Sequence, residues 1–382
     1  MPKARSISRF VAAALTLSLP GPFLLGAHAA TPAAPATPGA PAAQAVQVVA
    51  PYVQNVTATS AVIMWRTPDA RETVVMVGGR EHRPGTRTTH HQVAVSGLTP
   101  GSLVSYEVPG HGKGTFRTAP QGAGKARFIV VGDTGSGNAN QRAVAAQMTA
   151  YRPDFVLHVG DVVYDDGEER LYPQRFFKPF QEIIANSPLY PVIGNHDVRS
   201  EKGAAYLRAF ELPSEESGTE RYYSFRWGQA EFFALDTTDR DFLKPGSPQV
   251  EWLEKALSRS TATWKIAFGH HPIYSNGADG GKPFLRNRAL PLFKRHGVDL
   301  YISGHEHNYE RFLEPEEGVH FVVTGGGGAW LRPGRQKKQD ADKPSIYRDL
   351  YHYIGAEMDG KSLTLTAIDK DGKPFDSVTL SK

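Results

Sequence analysis

Five apolar runs after residue 125 stop in the same way, with a glycine followed at once by side chains that carry lone pairs. They are ARFIVVGD (126–133), DFVLHVGD (154–161), LYPVIGNHD (189–197), WKIAFGHH (264–271) and VDLYISGHEH (298–307). Short apolar runs bounded by turn residues read as buried strands, and strands buried on both faces belong to a largely parallel sheet covered by helices. Helical patterns do fall between them, at NQRAVAAQMTAY, PQRFFKPFQEIIA, SPQVEWLEKALSRS and NRALPLFKRH. FVVTGGGGAW and the alternating tail YHYIGAEMD, SLTLTAID and DSVTLS add strands, the tail antiparallel within itself. This half of the chain is therefore α/β.

Ligands of open α/β sheets gather beyond the carboxyl ends of the strands. The polar residues collected there are Asp133, Asp161, Tyr164, Asn195, His196, His270, His271, His305 and His307. One Gly-Asp is ordinary turn chemistry; five strands ending in carboxylate, amide or imidazole are not. Oxygen and imidazole donors without thiolate suit Mn, Zn or non-haem iron, and a shared carboxylate can hold two such ions about 3.5–4 Å apart. Tyr164, in GDVVY, reads at this point either as core filler or as a phenolate ligand.

The start of the chain has another character. Lys3, Arg5 and Arg9 precede an apolar stretch from Phe10 to about Leu25, and Ala27-His28-Ala29 has the form of a signal-peptidase site, so residues 1–29 read as a signal peptide. The apolar stretch is short and broken by Pro20, Gly21 and Pro22, which argues against a retained membrane anchor. Without this leader the formal net charge of +4 falls to +1, which gives no support to a nucleic-acid partner. The chain has no Cys, so an exported form, secreted or periplasmic, has no disulfide framework. Residues 30–46 are a Pro/Ala-rich linker with little apolar bulk.

Residues 47–119 then run as short strands between turns with no helical period: VQVVAPYV, AVIMWRT, ETVVMVGG, HHQVAVSG, SLVSYEV and GTFRTA. That is a small all-β sandwich, with Ile63 and Trp65 on one face. Leu98, Thr99-Pro100-Gly101 and Tyr106 resemble the fibronectin type III pattern, in which such a Tyr locks a corner, but Trp65 and Tyr106 themselves read simply as core packing. His90, His91 and His111 read as surface, and His158 as a satisfied core residue.

The blocks GDTG (132–135), GDVVY (160–164), GNHD (194–197), IAFGHHP (266–272) and GHEH (304–307) resemble, jointly and in order, those of the purple acid phosphatases within the metallophosphoesterases. The resemblance implies a four-layer α/β/β/α sandwich over residues 126–382, preceded by the fibronectin III-like domain. It implies two metal ions, the first held by Asp133, Tyr164 and His307, the second by Asn195, His270 and His305, with Asp161 bridging. A phenolate from Tyr164 favours Fe(III) in the first position, with Fe(II), Zn or Mn in the second. The implied activity is that of an acid phosphatase acting on small phosphate monoesters through an attacking hydroxide. His196 would stabilise the phosphoryl oxygens or protonate the leaving group, Asp197 would orient it or only form the turn, and His271 would line the substrate pocket. Many relatives carry a further His after the His-x-Pro block; here the loop reads IYSNGADGGK, leaving Asn276 or Asp279, or nothing, in that place. The ligand set serves a phosphodiesterase as well, and a surface-binding protein with a relic catalytic domain is the reading from another class. The pattern leaves the oligomeric state open.

Overall fold

The computed structural model describes residues 48–332, 334, 340 and 342–382; the expected signal peptide and linker lie outside the described residues. Among these residues the chain builds two stacked mixed sheets, with a smaller sandwich before them. The first sheet has six strands, in the order Leu189–Pro191, Phe155–His158, Ala126–Val131, His352–Asp359, Ser362–Asp369 and Pro374–Ser381. Its first three strands are mutually parallel and its last three are the antiparallel tail. The second has seven, with Ala230–Leu235, Trp264–Gly269, Leu300–Ser303 and His320–Thr324 parallel at its centre and antiparallel strands outside them. The five site strands are thus divided between two sheets, three in one and two in the other. We label them β1 (Ala126–Val131), β2 (Phe155–His158), β3 (Leu189–Pro191), β4 (Trp264–Gly269) and β5 (Leu300–Ser303).

Side-chain alternation decides which face of the second sheet meets what. Phe232, Ala234, Ile266, Phe268, Leu300 and Ile302 share a core with Phe128 and Val130 of the first sheet, and Phe232 packs edge-on against Phe128 and Phe155. Their neighbours Phe233, Leu235, Ala267 and Tyr301 instead pack with Leu253, Leu257 and Phe293 of the helices Pro248–Arg259 and Leu290–His296. The other helical layer is Ala139–Tyr151, whose Val144 and Met148 join the first core, together with Lys178–Ile184. The expected four layers follow. The helix expected over 173–185 begins instead as a wider turn, Pro173–Phe177, before the α-helix. The hairpin Tyr223–Trp227 and Ala230–Leu235 was not among the expected elements.

The sandwich has one sheet of Val49–Gln54, Ser60–Glu72 and Arg87–Ser96 and another of Arg80–His82, Val75–Val77, Leu103–Val108 and Gly112–Arg117. It does not close its own core: its Tyr52, Ile63, Trp65 and Phe116 belong to the same continuous buried cluster as Phe128 and Phe177. Tyr106 reaches out of the sandwich, its hydroxyl donating to the carbonyl of Ala185 at 2.8 Å, so it joins the two parts besides packing between strands. His91 is buried, against expectation. Its ring stacks on Trp65 at 4.6 Å and bonds Thr67 and Thr73, because a neutral imidazole with both nitrogens satisfied costs little to bury.

Candidate metal centre

The carboxyl ends of β1, β2 and β3 face those of β4 and β5, and the glycines that close these strands let the loops meet. A Cβ on Gly194 would stand 2.1 Å from Asp161 Oδ1, and one on Gly304 would stand 2.4 Å from Asp133 Oδ2. The repeated glycine is therefore a demand of close approach between ligand loops. Asp133, Asp161 and His305 themselves have φ of 57°, 54° and 69°, a left-handed conformation unusual for residues with a Cβ and concentrated at functional sites.

Seven side chains converge into two clusters. In the first, the Tyr164 hydroxyl oxygen lies 2.9 Å from Asp133 Oδ1, 3.0 Å from Asp161 Oδ2 and 3.0 Å from His307 Nε2. In the second, Asn195 Oδ1 lies 3.0 Å from His270 Nε2 and 2.9 Å from His305 Nδ1, and His270 Nε2 is 3.4 Å from the same Asp161 Oδ2. Donors each about 2.1 Å from a common ion stand about 3 Å apart, which is this spacing. The outward-facing atoms point the same way. His270 Nδ1 donates to the carbonyl of Val159 at 2.9 Å and His307 Nδ1 to that of Trp330 at 2.7 Å, so each ring turns Nε2 inward, where the neutral form would present its lone pair to a cation. Asp133 Oδ2 accepts the amide of His305 and Asp161 Oδ1 the amide of His196, both at 2.9 Å, leaving one inward oxygen on each carboxylate.

The electrostatics demand positive charge between these groups. Burial lowers the pKa of His270, but Asp161 overcomes it and raises the ring to about 9; reciprocally, His270 holds Asp161 below the usual carboxylate range against the opposing effect of burial. Burial, Asp133 and Asp161 push the Tyr164 phenol far up, so that a cation is needed to stabilise its phenolate. The residues fit two metal ions.

His196 Nδ1 donates to the carbonyl of Asp165 at 2.5 Å, leaving Nε2 to face inward, 3.9 Å from Asp161 Oδ2. The orienting role expected of Asp197 is not what the geometry gives. Its fully buried carboxylate accepts the amides of Val162, Val163 and Gly194, clamping the loop after β2 to the loop after β3, because consecutive side chains of this tight turn point apart. His271 is buried, its ring 4.4 Å from that of His305. Thr237 Oγ1 accepts the His271 amide at 3.0 Å and shares a hydrogen bond with its Nδ1 at 3.1 Å, which holds the ring in place. Of the two loop candidates, Asn276 is turned away and bonded to Glu310, whereas Asp279 Oδ2 stands 3.5 Å from His305 Nε2 and 2.5 Å from Arg332 Nη1.

Sequence reasoning missed Thr237, Arg332 and the use made of the glycine run 325–328. The signal for the run was the four glycines themselves. A Cβ on Gly325 would meet the Glu306 carbonyl at 2.2 Å and one on Gly327 that of Gly132 at 2.3 Å, so only a bare backbone can lie along the centre here.

Two stacked mixed sheets with oxygen and imidazole donors at their parallel strand ends define a metallophosphoesterase. A family model described as calcineurin-like phosphoesterase matches residues 126–309. Purple acid phosphatase 4 of Arabidopsis thaliana is 31% identical over 297 residues, covering 70% of this chain and 87% of the relative. Tartrate-resistant acid phosphatase type 5 of Homo sapiens is 27% identical over 291 residues, covering 65% and 88%. The structure of a purple acid phosphatase from yellow lupin seeds superposes with a TM-score of 0.76 at 21% identity, over 88% of this chain and 74% of that one. The chain belongs to the purple acid phosphatase family, and its metal centre is dinuclear.

Proposed function

We propose that this acid phosphatase hydrolyses small phosphate monoesters at a centre whose first ion is held by Asp133, Tyr164 and His307 and whose second is held by Asn195, His270 and His305, with Asp161 shared. The observation that carries the reading is the single atom Asp161 Oδ2, which belongs to both donor clusters. When bound, the ions supply Lewis acidity toward the phosphoryl group and a nucleophile near neutral pH. The chain's own residues do the rest. His196 directs Nε2 at the site, where it offers a hydrogen bond to a phosphoryl oxygen or a proton to the leaving oxygen. His271, its ring held by Thr237, lines the pocket beside His305. Asp197 fixes the separation of the loops that carry Asp161 and Asn195.

Three ligands that carry or can carry negative charge, Asp133, Asp161 and Tyr164, surround the first position. That supports Fe(III) there, with Fe(II), Zn or Mn beside the neutral donors of the second. Metal analysis and a visible spectrum of the purified protein test this. The oxidised protein should carry two ions and a violet phenolate-to-iron band that Tyr164→Phe removes. A coloured wild type whose band survives that change would show the phenol to be mere packing. Asp161→Asn should abolish turnover, since the shared oxygen loses its charge; near-normal activity with both ions bound would sink the assignment.

We also read the chain as exported, to the periplasm or the medium, after cleavage at Ala29, without a nucleic-acid partner or retained anchor. Among the described residues no helix is long and apolar enough to cross a membrane. An exported protein that still begins at Met1 would refute the cleavage.

A further inference from the structure

Four of the five tryptophans are buried, but Trp330 keeps 48% of its surface in water. It is not held there by slack chain. The amide of Gly327 donates to the Gly132 carbonyl at 3.0 Å and that of Ala329 to the Asp133 carbonyl at 2.8 Å, while the Gly328 carbonyl accepts from Ser136 Oγ and Asn138 Nδ2, both at 2.8 Å. The loop that ends in Trp330 is thus pinned to the loop that carries Asp133. The indole itself lies against the first donor cluster, its centroid 5.4 Å from that of Tyr164 and 5.7 Å from that of His307. A large aromatic ring fixed at a catalytic centre with half its surface wet contributes little to the core and is placed to meet something from solution.

The rest of the mouth directs what that something is. Over the second cluster, Asp279 faces His305 Nε2 at 3.5 Å and is paired at 2.5 Å with Arg332, so an ion pair joins the loop before Lys282 to the segment after Trp330. Over the first cluster, Trp330 and His196 each pack on the Tyr164 ring, at 5.4 Å and 4.5 Å. A phosphate ester bound between the clusters with its leaving group over the first would bring that group against Trp330.

We propose that Trp330 is the leaving-group platform of this enzyme, stacking a planar aromatic alcohol while its phosphate occupies the metal centre; the proposal rests on the phosphatase reading above. Stacking on an indole face favours a flat ring over a saturated ring of the same size by a factor of roughly 2 to 10.

The test compares benzyl phosphate with cyclohexylmethyl phosphate, two primary-alkyl esters that differ in the planarity of the ring. Wild-type enzyme should show a kcat/KM ratio of about 2 to 10 in favour of benzyl phosphate. W330L, which keeps apolar bulk, and W330A should bring the ratio close to one with both ions still bound. A ratio unchanged in W330L overturns the assignment, as does an equal fall for both esters. Calorimetric titration of the metal-loaded wild type and W330L with phenylphosphonate and cyclohexylphosphonate gives a readout independent of turnover, and the preference in Kd should vanish in W330L alone. A wild type that hydrolyses neither ester removes the phosphatase reading, and the paired Kd values then decide for or against Trp330 by themselves.

Discussion

His196 is tied to the centre at two atoms and open at a third. Its amide holds the outer oxygen of Asp161 and its Nδ1 is engaged by the Asp165 carbonyl, so Nε2 alone is left for the reacting phosphate. Neither tie involves metal coordination. His196→Ala keeps the backbone amide, and with it the orientation of Asp161, so metal content should stay at two ions per chain. Turnover should fall by about 10² to 10⁴, the range for losing a positioned acid or base. Loss of an ion in this variant, measured by elemental analysis, would instead make His196 a ligand. The contrast with Asp197 is instructive: one residue further on, a side chain with the more reactive reputation is spent wholly on three backbone amides.

At the scale of elements, the segment 325–330 does the work of a sixth ligand loop although it contributes no ligand side chain. It supplies the carbonyl that turns His307 Nε2 inward and the amides that fix Gly132 and Asp133. Gly327→Ala places a methyl group 2.3 Å from the Gly132 carbonyl, and the loop must move. The expected cost is about 1–3 kcal/mol of stability, as for other overpacked sites, with weaker binding of the first ion. Chemical denaturation and metal retention on dialysis measure the two effects. The seven polar positions that converge in the two clusters, and the strands before them, were legible in the sequence because coordination chemistry restricts residue type and the close approach of loops demands glycine beside it. Thr237 and Arg332 were not, and of the loop that offered Asn276 or Asp279 the sequence did not tell which faces the site. They lie on loops without a period, and the pairing of Asp279 with Arg332 spans 53 residues of chain that only the stacking of strands brings together. Tyr106 illustrates a third situation, in which the residue type and its burial were foreseen but its partner, a carbonyl of the catalytic part, was not.

For the whole molecule, the absence of a boundary in the hydrophobic core matters most. Tyr52 donates to the Ala209 carbonyl at 2.9 Å, Tyr190 to that of Val56 at 2.7 Å, and Arg66 bonds the Arg208 carbonyl at 2.9 Å and pairs with Glu169 at 3.3 Å, all across the junction of sandwich and catalytic part. Ties in both directions over a shared apolar cluster make the two parts one folding unit. Tyr106→Phe leaves the Ala185 carbonyl without this donor and should cost about 1–3 kcal/mol. The loss should move a single thermal transition to lower temperature, followed by calorimetry and by near-ultraviolet dichroism together. A first transition confined to the sandwich, with phosphatase activity retained above it, would show that the parts unfold separately.

The donor set also has an order in time. The first cluster takes Asp133, Asp161 and Tyr164 from one sheet and His307 from the other, and the second takes Asn195 from one sheet and His270 and His305 from the other. No growing chain shorter than 305 residues can offer either set complete. Neither pocket can therefore select an ion until the second sheet has been made and has met the first, which places the choice of ion late in folding.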